Sequence, residues 1–266
     1  MSLAAIQAEA RDIATQALLE PSAVRDVLTA LAENGTDTPP FLFTLGREAG
    51  LDPRVALARA TGVHLNIVAL QVMDDVADGD CDYLTPAAGA GTATQYMLQN
   101  LGYAALLDAG LPPELLRTLA LELAGGASAQ SLEVRTRVFD PASARVMTEG
   151  FGGRHYAAYF RLMLHGTRLE ARAAELGRAL GIGVAVSSDI RSHDARVMTL
   201  LPEERAELIA WALAETAQGS GTSLRTLDAL LGRIDTHLLG AFALLTGPGD
   251  AETATADSNG ARNAPT

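Results

Sequence analysis

The chain consists of long segments in which apolar residues recur at helical spacing, separated by short breaks that contain proline or glycine. Proline stands just inside several predicted helix starts, as in Glu20-Pro21-Ser22 and Leu201-Pro202-Glu203, where a first helical turn tolerates it. No segment alternates apolar and polar residues in the manner of a half-buried strand. We therefore predict an all-α fold, with helices at 2–19, 21–33, 39–49, 53–79, 90–109, 112–138, 141–149, 154–178, 179–197, 202–218 and 222–245.

The 266 residues form one compositional zone without an internal repeat, and 48% of them are apolar, which is enough for one large core. The last 20 residues, 247–266, contain almost no large apolar side chain and cannot offset the entropy of ordering. We predict one helical domain over 1–246 and a disordered tail over 247–266.

Charge and composition exclude several functions. The net charge of −12 argues against binding nucleic acid, which requires clustered cations. All 20 basic residues are arginine, so a mechanism that needs a lysine amine is excluded.

The single cysteine, Cys81, cannot form an internal disulfide, and the first 20 residues lack the features of a signal peptide. We expect a cytoplasmic protein with no transmembrane segment, because no run reaches about 18 uninterrupted apolar residues.

A largely apolar predicted helix runs into a cluster of aspartates, with Asp74, Asp75 and Asp78 in the pattern Asp-Asp-x-x-Asp. Asp74 and Asp78 are four residues apart, so they share one helical face and could hold a hard cation through oxygen. Aspartates at the end of a helix oppose its dipole, and carboxylates that follow buried residues are costly. The pattern therefore predicts a magnesium site that binds a diphosphate, in preference to a merely solvated acidic helix end.

A second apolar segment, 180–186, opens into oxygen-bearing side chains at Ser188, Asp189 and Ser192. Ser188 and Ser192 lie four residues apart, on one face of the predicted helix. On its own this pattern is weak, but together with the first it predicts a second group of metal ligands.

On these motifs the chain resembles the trans-prenyl diphosphate synthases and class I terpene synthases, over roughly residues 35–196. The resemblance implies a single helical bundle of the isoprenoid-synthase type with a central apolar cavity. It also implies that the two helix ends face each other across this cavity and share a cluster of Mg²⁺ ions. It matches Asp74, Asp75 and Asp78 to the first motif in full, and it places Gln130 where the family carries a Gly-Gln pair. The catalytic and metal-binding roles of these aspartates, and a substrate that is an allylic prenyl diphosphate, follow from the resemblance.

The chain departs from the family at its cationic positions. Only Gly35 and Pro40 remain of the basic Gly-Lys-x-x-Arg-Pro loop, the family's Arg-Arg-Gly is replaced around Tyr83, and its Lys-Thr pair appears as Gly166-Thr167. The resemblance assigns these cations to isopentenyl diphosphate and the allylic diphosphate, so ordinary chain elongation is not expected. The segment Pro39-Pro40-Phe41-Leu42 is similar to that of the moenomycin-pathway prenyltransferase, which transfers a prenyl chain to another acceptor.

The second motif also departs from the family, because serine replaces two of its three carboxylates. The pattern partly matches the terpene-synthase motif Asn-Asp-x-x-Ser-x-x-x-Glu, with Arg196 where glutamate belongs. Candidate diphosphate-binding residues are arginines, since a guanidinium pairs with phosphate oxygens in a forked geometry: Arg135, Arg137, Arg145, Arg161 and Arg168. Gln130 is a further candidate through its place in the resemblance.

Three functions stay open at this point. The leading interpretation is Mg²⁺-assisted ionisation of an allylic prenyl diphosphate, followed by prenyl transfer to an acceptor other than isopentenyl diphosphate. The second is a terpene cyclase, and the third is a non-catalytic subunit of a prenyl diphosphate synthase. We expect a homodimer.

Overall fold

The computed structural model describes residues 1–136, 139–222 and 224–246. In these ranges every regular secondary-structure element is a helix. The chain divides into two compact units, residues 1–116 and 117–266, with the division inside helix α6. The first unit contains five complete helices: α1 (Leu3–Ala17), α2 (Pro21–Glu33), α3 (Thr38–Glu48), α4 (Pro53–Asp78) and α5 (Ala87–Asp108).

The second unit begins within α6 (Pro113–Arg135). It continues through α7 (Pro141–Thr148), a π-helix (Glu149–Arg154), α8 (His155–Leu164), a 3₁₀ turn (Glu170–Arg172) and α9 (Ala173–Ser192). A second 3₁₀ turn (Val197–Thr199), α10 (Pro202–Gly219) and α11 (Arg225–Thr246) complete it. The all-α prediction is confirmed. The predicted tail over 247–266 lies outside the described residues, as does Arg137.

Proline and acidic side chains mark the helix starts, as the sequence predicted. Asp52 caps α4 by accepting a hydrogen bond from the backbone N–H of Arg54, and Asp140 caps α7 in the same way from Ser143. Each cap satisfies a backbone donor that has no partner inside the helix. Proline follows directly at the first helical position, where its missing N–H costs nothing.

Helix α4 forms the centre of the first unit and packs most extensively against α5. Its residues Leu65, Val68, Ala69 and Val72 belong to one buried core cluster with residues of α1, α2 and α5. Burial of such a group of aliphatic side chains contributes roughly 1.5–3 kcal/mol for each fully buried side chain of leucine size.

Three glycines set the close approach of α4 and α5. A Cβ on Gly62 would lie 2.6 Å from Cγ of Leu106, one on Gly102 would overlap the side-chain amide of Asn66, and one on Gly91 would overlap Val76. These contacts leave no room for a side chain, so they interlock the two helices along much of their shared length.

Helix α9 is the central helix of the second unit and packs against α8, α10, α11 and the π-helix. A Cβ on Gly181 would overlap the carbonyl oxygen of Gly152, and one on Gly177 would overlap that of Tyr156. On the same helix, Arg178 forms a forked ion pair with Glu149, through two N–O distances of 2.7 Å, and also pairs with Glu215. Glycine contacts and a charged network thus fix α9 against its neighbours.

The break between α8 and α9 corrects the sequence prediction. The predicted helices 154–178 and 179–197 are wrong in their boundaries, because the first helix ends at Leu164 and α9 begins at Ala173. Gly166 adopts the left-handed conformation with φ of 75°, and its N–H donates to the carboxylate of Glu170 at 3.0 Å. Glycine takes this conformation readily, so it stops the helix here.

Among the residues that the structure describes, two helices, α4 and α11, have the length and hydropathy of a membrane span. In α4, 67% of the 18-residue apolar segment is buried within the protein, whereas only 22% of the corresponding segment of α11 is buried. A buried core helix meets the same criteria, so length and composition alone do not show a span.

Candidate active site

The first aspartate motif occupies the last turn of α4. The helix ends at Gly79, whose φ of 84° is left-handed. The backbone carbonyl of Asp75 accepts hydrogen bonds from the N–H groups of Gly79, Asp80 (2.8 Å) and Cys81 (3.1 Å). This termination fixes the backbone directly beneath the carboxylates.

The three carboxylates differ in exposure. Asp74 and Asp78 are exposed, whereas Asp75 is half-buried. The expectation that Asp74 follows the buried residues into a costly apolar environment is therefore wrong, because α4 reaches solvent one residue after Met73. Asp74 and Asp78 lie one helical turn apart on the exposed side, where a cation could approach both.

Asp75 is held by a chain of two hydrogen bonds that the sequence did not reveal. The Tyr83 phenol donates to Oδ2 of Asp75 at 2.6 Å, and Nδ2 of Asn34 donates to the Tyr83 oxygen at 3.1 Å. Burial, followed by the hydrogen bond to Asp75, raises the pKa of Tyr83 above its usual range. The phenol therefore remains a protonated donor to the carboxylate at any physiological pH.

Polar groups without protein partners lie on α4 below the aspartates. Both ring nitrogens of His64 and Oε1 of Gln71 are buried without a hydrogen-bond partner among the described residues. His64, Gln71, Asp75 and Asp78 follow one another at spacings of seven, four and three, so they share one stripe of the helix. Burial lowers the pKa of His64 to about 4, which keeps it neutral. Sequence reasoning missed this stripe, although its spacing was a readable signal.

The second motif lies at the end of α9. Ser188 and Asp189 are half-buried, Ser192 is exposed, and Oγ of Ser192 donates to the carbonyl of Asp189 at 3.4 Å. Burial, and secondarily the charge of Asp194, raise the pKa of Asp189 to about 7. A carboxylate in this environment is poorly stabilised when ionised, so a nearby cation would favour its charged form.

Arg196, which stands where the terpene-synthase pattern has glutamate, pairs with Asp194 at 3.2 Å. Oδ1 of Asp194 also accepts from the N–H of Val197 at 3.2 Å. These contacts tie Arg196 to the turn that follows α9, so it is engaged as a cation and does not stand in for a metal-binding carboxylate.

The donor chemistry of both motifs fits Mg²⁺, which prefers carboxylate and other oxygen ligands and keeps several positions for water or substrate phosphate. Within the described ranges, no three histidine, cysteine, aspartate or glutamate side chains converge closely enough to hold a metal by themselves. Completing a coordination shell would therefore require oxygens from a diphosphate or from water. That the two motifs face each other across one cavity remains a prediction of the sequence.

The candidate diphosphate-binding residues lie in different parts of the second unit. Arg135 is exposed in the last turn of α6, Arg168 is exposed in the turn after α8, and Gln130 lies within α6. Arg137 lies outside the described residues. Whether these residues bind diphosphate is still a prediction from the sequence.

Two further candidates, Arg161 and Arg145, are paired with carboxylates. Arg161 contacts Glu122 at 3.2 Å, and Arg145 contacts Glu207 at 2.7 Å while lying 5.5 Å from the centre of the Trp211 ring. A diphosphate would have to compete with these partners.

No protein-family model and no curated protein matches the chain. Several solved structures do. The geranylgeranyl pyrophosphate synthetase of Pyrococcus horikoshii is 16% identical with a TM-score of 0.61, covering 96% of this chain and 85% of that one. An FPP/GFPP synthase from Zymomonas mobilis is 18% identical with a TM-score of 0.64, covering 87% and 98%. A deletion mutant of the heterotetrameric geranyl pyrophosphate synthase of mint is 17% identical with a TM-score of 0.58, covering 86% and 98%.

At these identities the similarity establishes the fold. The chain has the helical isoprenoid-synthase fold, which confirms the fold expected from the resemblance. The narrower likeness to the moenomycin-pathway prenyltransferase stays a prediction.

Proposed function

We propose that the protein ionises an allylic prenyl diphosphate with the help of Mg²⁺ and transfers the prenyl group to an acceptor other than isopentenyl diphosphate. One observation carries the proposal. Asp74, Asp75 and Asp78 stand together at the exposed end of α4, in a fold shared with proteins named as geranylgeranyl and farnesyl diphosphate synthases.

In this reaction the bond between C1 of the prenyl group and the diphosphate oxygen breaks, and its electron pair leaves with the diphosphate. When bound, Mg²⁺ would neutralise the diphosphate oxygens and so improve the leaving group. Asp74, Asp75 and Asp78 would hold the metal through oxygen, and Asp189 with its neighbouring serines is the second candidate set. The allylic cation then bonds to a nucleophilic atom of the acceptor, which releases a proton.

The loss of cationic residues at these positions of the sequence supports an acceptor without a diphosphate. Thr36, Pro39 and Gly166 fall within or beside the segments that carry the family's lysines and arginine, and none of them supplies a cation. Pro39 is buried in the first turn of α3, and Gly166 lies in the stop after α8. A bound diphosphate needs several charge-assisted contacts to offset its desolvation.

Two alternatives each have support from one observation. The order Ser188, Asp189, Ser192 favours a terpene cyclase, in which the cation is captured within the same molecule. The likeness to one chain of a heterotetrameric synthase, together with the loss of two carboxylates from the second motif, favours a non-catalytic subunit.

Product analysis distinguishes the three functions. The protein is incubated with Mg²⁺ and geranyl, farnesyl or geranylgeranyl diphosphate, with and without labelled isopentenyl diphosphate, and diphosphate release is measured. Release only when a nucleophilic acceptor is added supports prenyl transfer, and a cyclic hydrocarbon from the allylic substrate alone supports the cyclase. A longer labelled prenyl diphosphate refutes both, and a folded protein without turnover that binds an active homologue supports the subunit. Asp78→Ala is the negative control for each activity.

A further inference from the structure

The hydrogen-bond chain from Asn34 through Tyr83 to Asp75 joins three segments of the first unit. Asn34 lies at the end of α2, Tyr83 lies in the loop after α4, and Asp75 lies in the last turn of α4. Asn34 is 8% exposed, and its Nδ2 also donates to the carbonyl of Ala30 at 3.1 Å, so the two acceptors together restrict rotation of its side-chain amide.

The ring of Tyr83 packs against the buried core cluster of the first unit. Its neighbours in the loop, Cys81 and Leu84, are 2% and 3% exposed, so the backbone on both sides of the tyrosine is anchored. The backbone N–H of Cys81 is bound to the carbonyl of Asp75 at 3.1 Å. Packing of the ring and of the adjacent residues therefore restrains the position of the phenol oxygen in addition to its contact with the carboxylate.

We propose that Tyr83 is a positioning residue that orients the Asp75 carboxylate toward the metal, and that Asn34 orients the Tyr83 phenol. This inference rests on the proposed function. Because the oxygen of Tyr83 accepts from Asn34, its O–H is directed at Oδ2 of Asp75. One engaged oxygen restricts rotation of the carboxylate, while Oδ1 remains able to bind a cation. Outer hydrogen bonds of this kind commonly change metal affinity by about 10–100-fold.

A purely structural role would predict a different result. If the phenol only fastened the loop to α4, Tyr83→Phe would lower the melting temperature and leave metal affinity unchanged. If it positions Asp75, the loss of metal affinity must depend on the presence of the Asp75 carboxylate, which a double-mutant cycle detects.

The test measures Mn²⁺ binding by electron paramagnetic resonance, with inorganic pyrophosphate present, on the full chain. Tyr83→Phe is expected to weaken binding about tenfold in the wild-type background and by less than about twofold in the Asp75→Asn background. Tyr103→Phe is the matched control, because Tyr103 is also half-buried and its hydroxyl bonds to Gln99. It is expected to bind Mn²⁺ like the wild type.

The proposal would be overturned if Tyr83→Phe lowered Mn²⁺ affinity equally in the wild-type and Asp75→Asn backgrounds. It would also be overturned if a folded Tyr83→Phe protein bound Mn²⁺ with wild-type affinity. If Tyr83→Phe does not fold, Asn34→Ala replaces it, with an expected loss of about threefold that disappears with Asp75→Asn. No loss in Asn34→Ala then overturns the proposal. Wild-type binding in Asp75→Asn itself would instead refute the proposed metal role of the motif.

Discussion

Oδ2 of Asp75 accepts a hydrogen bond from the phenol of Tyr83 at 2.6 Å, across the left-handed turn that ends α4. The contact makes Asp75 structurally different from its two exposed neighbours in the motif. Removing Asp75 leaves a half-buried phenol without its acceptor, whereas removing Asp78 only relieves repulsion between carboxylates.

We expect Asp75→Ala and Asp78→Ala each to reduce diphosphate release by at least about 100-fold, because each removes an oxygen ligand from the charge-stabilising site. Asp80→Ala should reduce it by less than about threefold. Urea unfolding should show a loss of about 1 kcal/mol for Asp75→Ala and no loss for Asp78→Ala. Normal turnover of both motif variants at saturating Mg²⁺ would contradict the assignment.

Asp189→Asn should stabilise the metal-free protein at pH 8. The folded-state pKa of about 7 lies above the ordinary value of 3.8, so the folded protein loses stability as the pH rises from about 4 to about 7. The asparagine side chain does not ionise and so avoids this loss of stability. We expect the unfolding free energy of Asp189→Asn to exceed that of the wild type by on the order of 1–2 kcal/mol at pH 8, in the presence of a chelator. The gain should vanish near pH 4, and an equal gain at both pH values would exclude the carboxylate charge as its cause.

His155 should make the protein sensitive to acid. Burial lowers its pKa to about 4, below the usual 6.5, so the unfolded chain takes up the proton first. Stability from this group is present above about pH 6.5 and is lost as the pH falls toward 4, at up to about 1 kcal/mol per pH unit. His155→Phe should reduce the slope of unfolding free energy against pH in this window. Phe160→Leu, a buried change without a titratable group, should shift the curve and keep its slope.

Gly181→Ala should destabilise the second unit by about 2–3 kcal/mol, because the added methyl would overlap the carbonyl of Gly152. Gly232→Ala in α11 is the matched control, since its Cβ would meet no atom within 4 Å. The control should stabilise the protein by about 0.5–1 kcal/mol through helix propensity. Thermal unfolding measures both, and a Gly181→Ala protein as stable as wild type would contradict the close helix contact.

The sequence predicted most helix positions because proline and acidic caps act locally. It placed the α8–α9 boundary wrongly, since Gly166 is one of many glycines and only its left-handed conformation makes it a stop. The π-helix at Glu149–Arg154 also went unpredicted, because its hydrogen bonding depends on packing against α9 and not on composition.

The aspartates proposed to bind metal were readable as a motif, but their surroundings were not. Tyr83 is eight residues from Asp75, across a turn, and Asn34 is 49 residues from Tyr83. Helix α4 ends between Asp75 and Tyr83, so helical periodicity does not extend across their separation, and no local pattern extends over 49 residues. The raised pKa of Asp189 likewise depends on how deeply the end of α9 is buried, which one sequence does not specify.

The glycine contacts of Gly62, Gly91 and Gly102 have a consequence for motion within the first unit. Helices packed through long side chains can slide by small rotamer adjustments. Here Gly62 and Gly102 bring the two backbones together at one level, and Gly91 packs against the side chain of Val76 at a second, which restricts such sliding. We therefore expect helices α4 and α5 to move as one body, without sliding past each other next to the aspartate motif when a ligand binds. Any closure over a substrate must come from hinges elsewhere, and amides in the middle of α4 should exchange with solvent deuterium among the slowest in this unit.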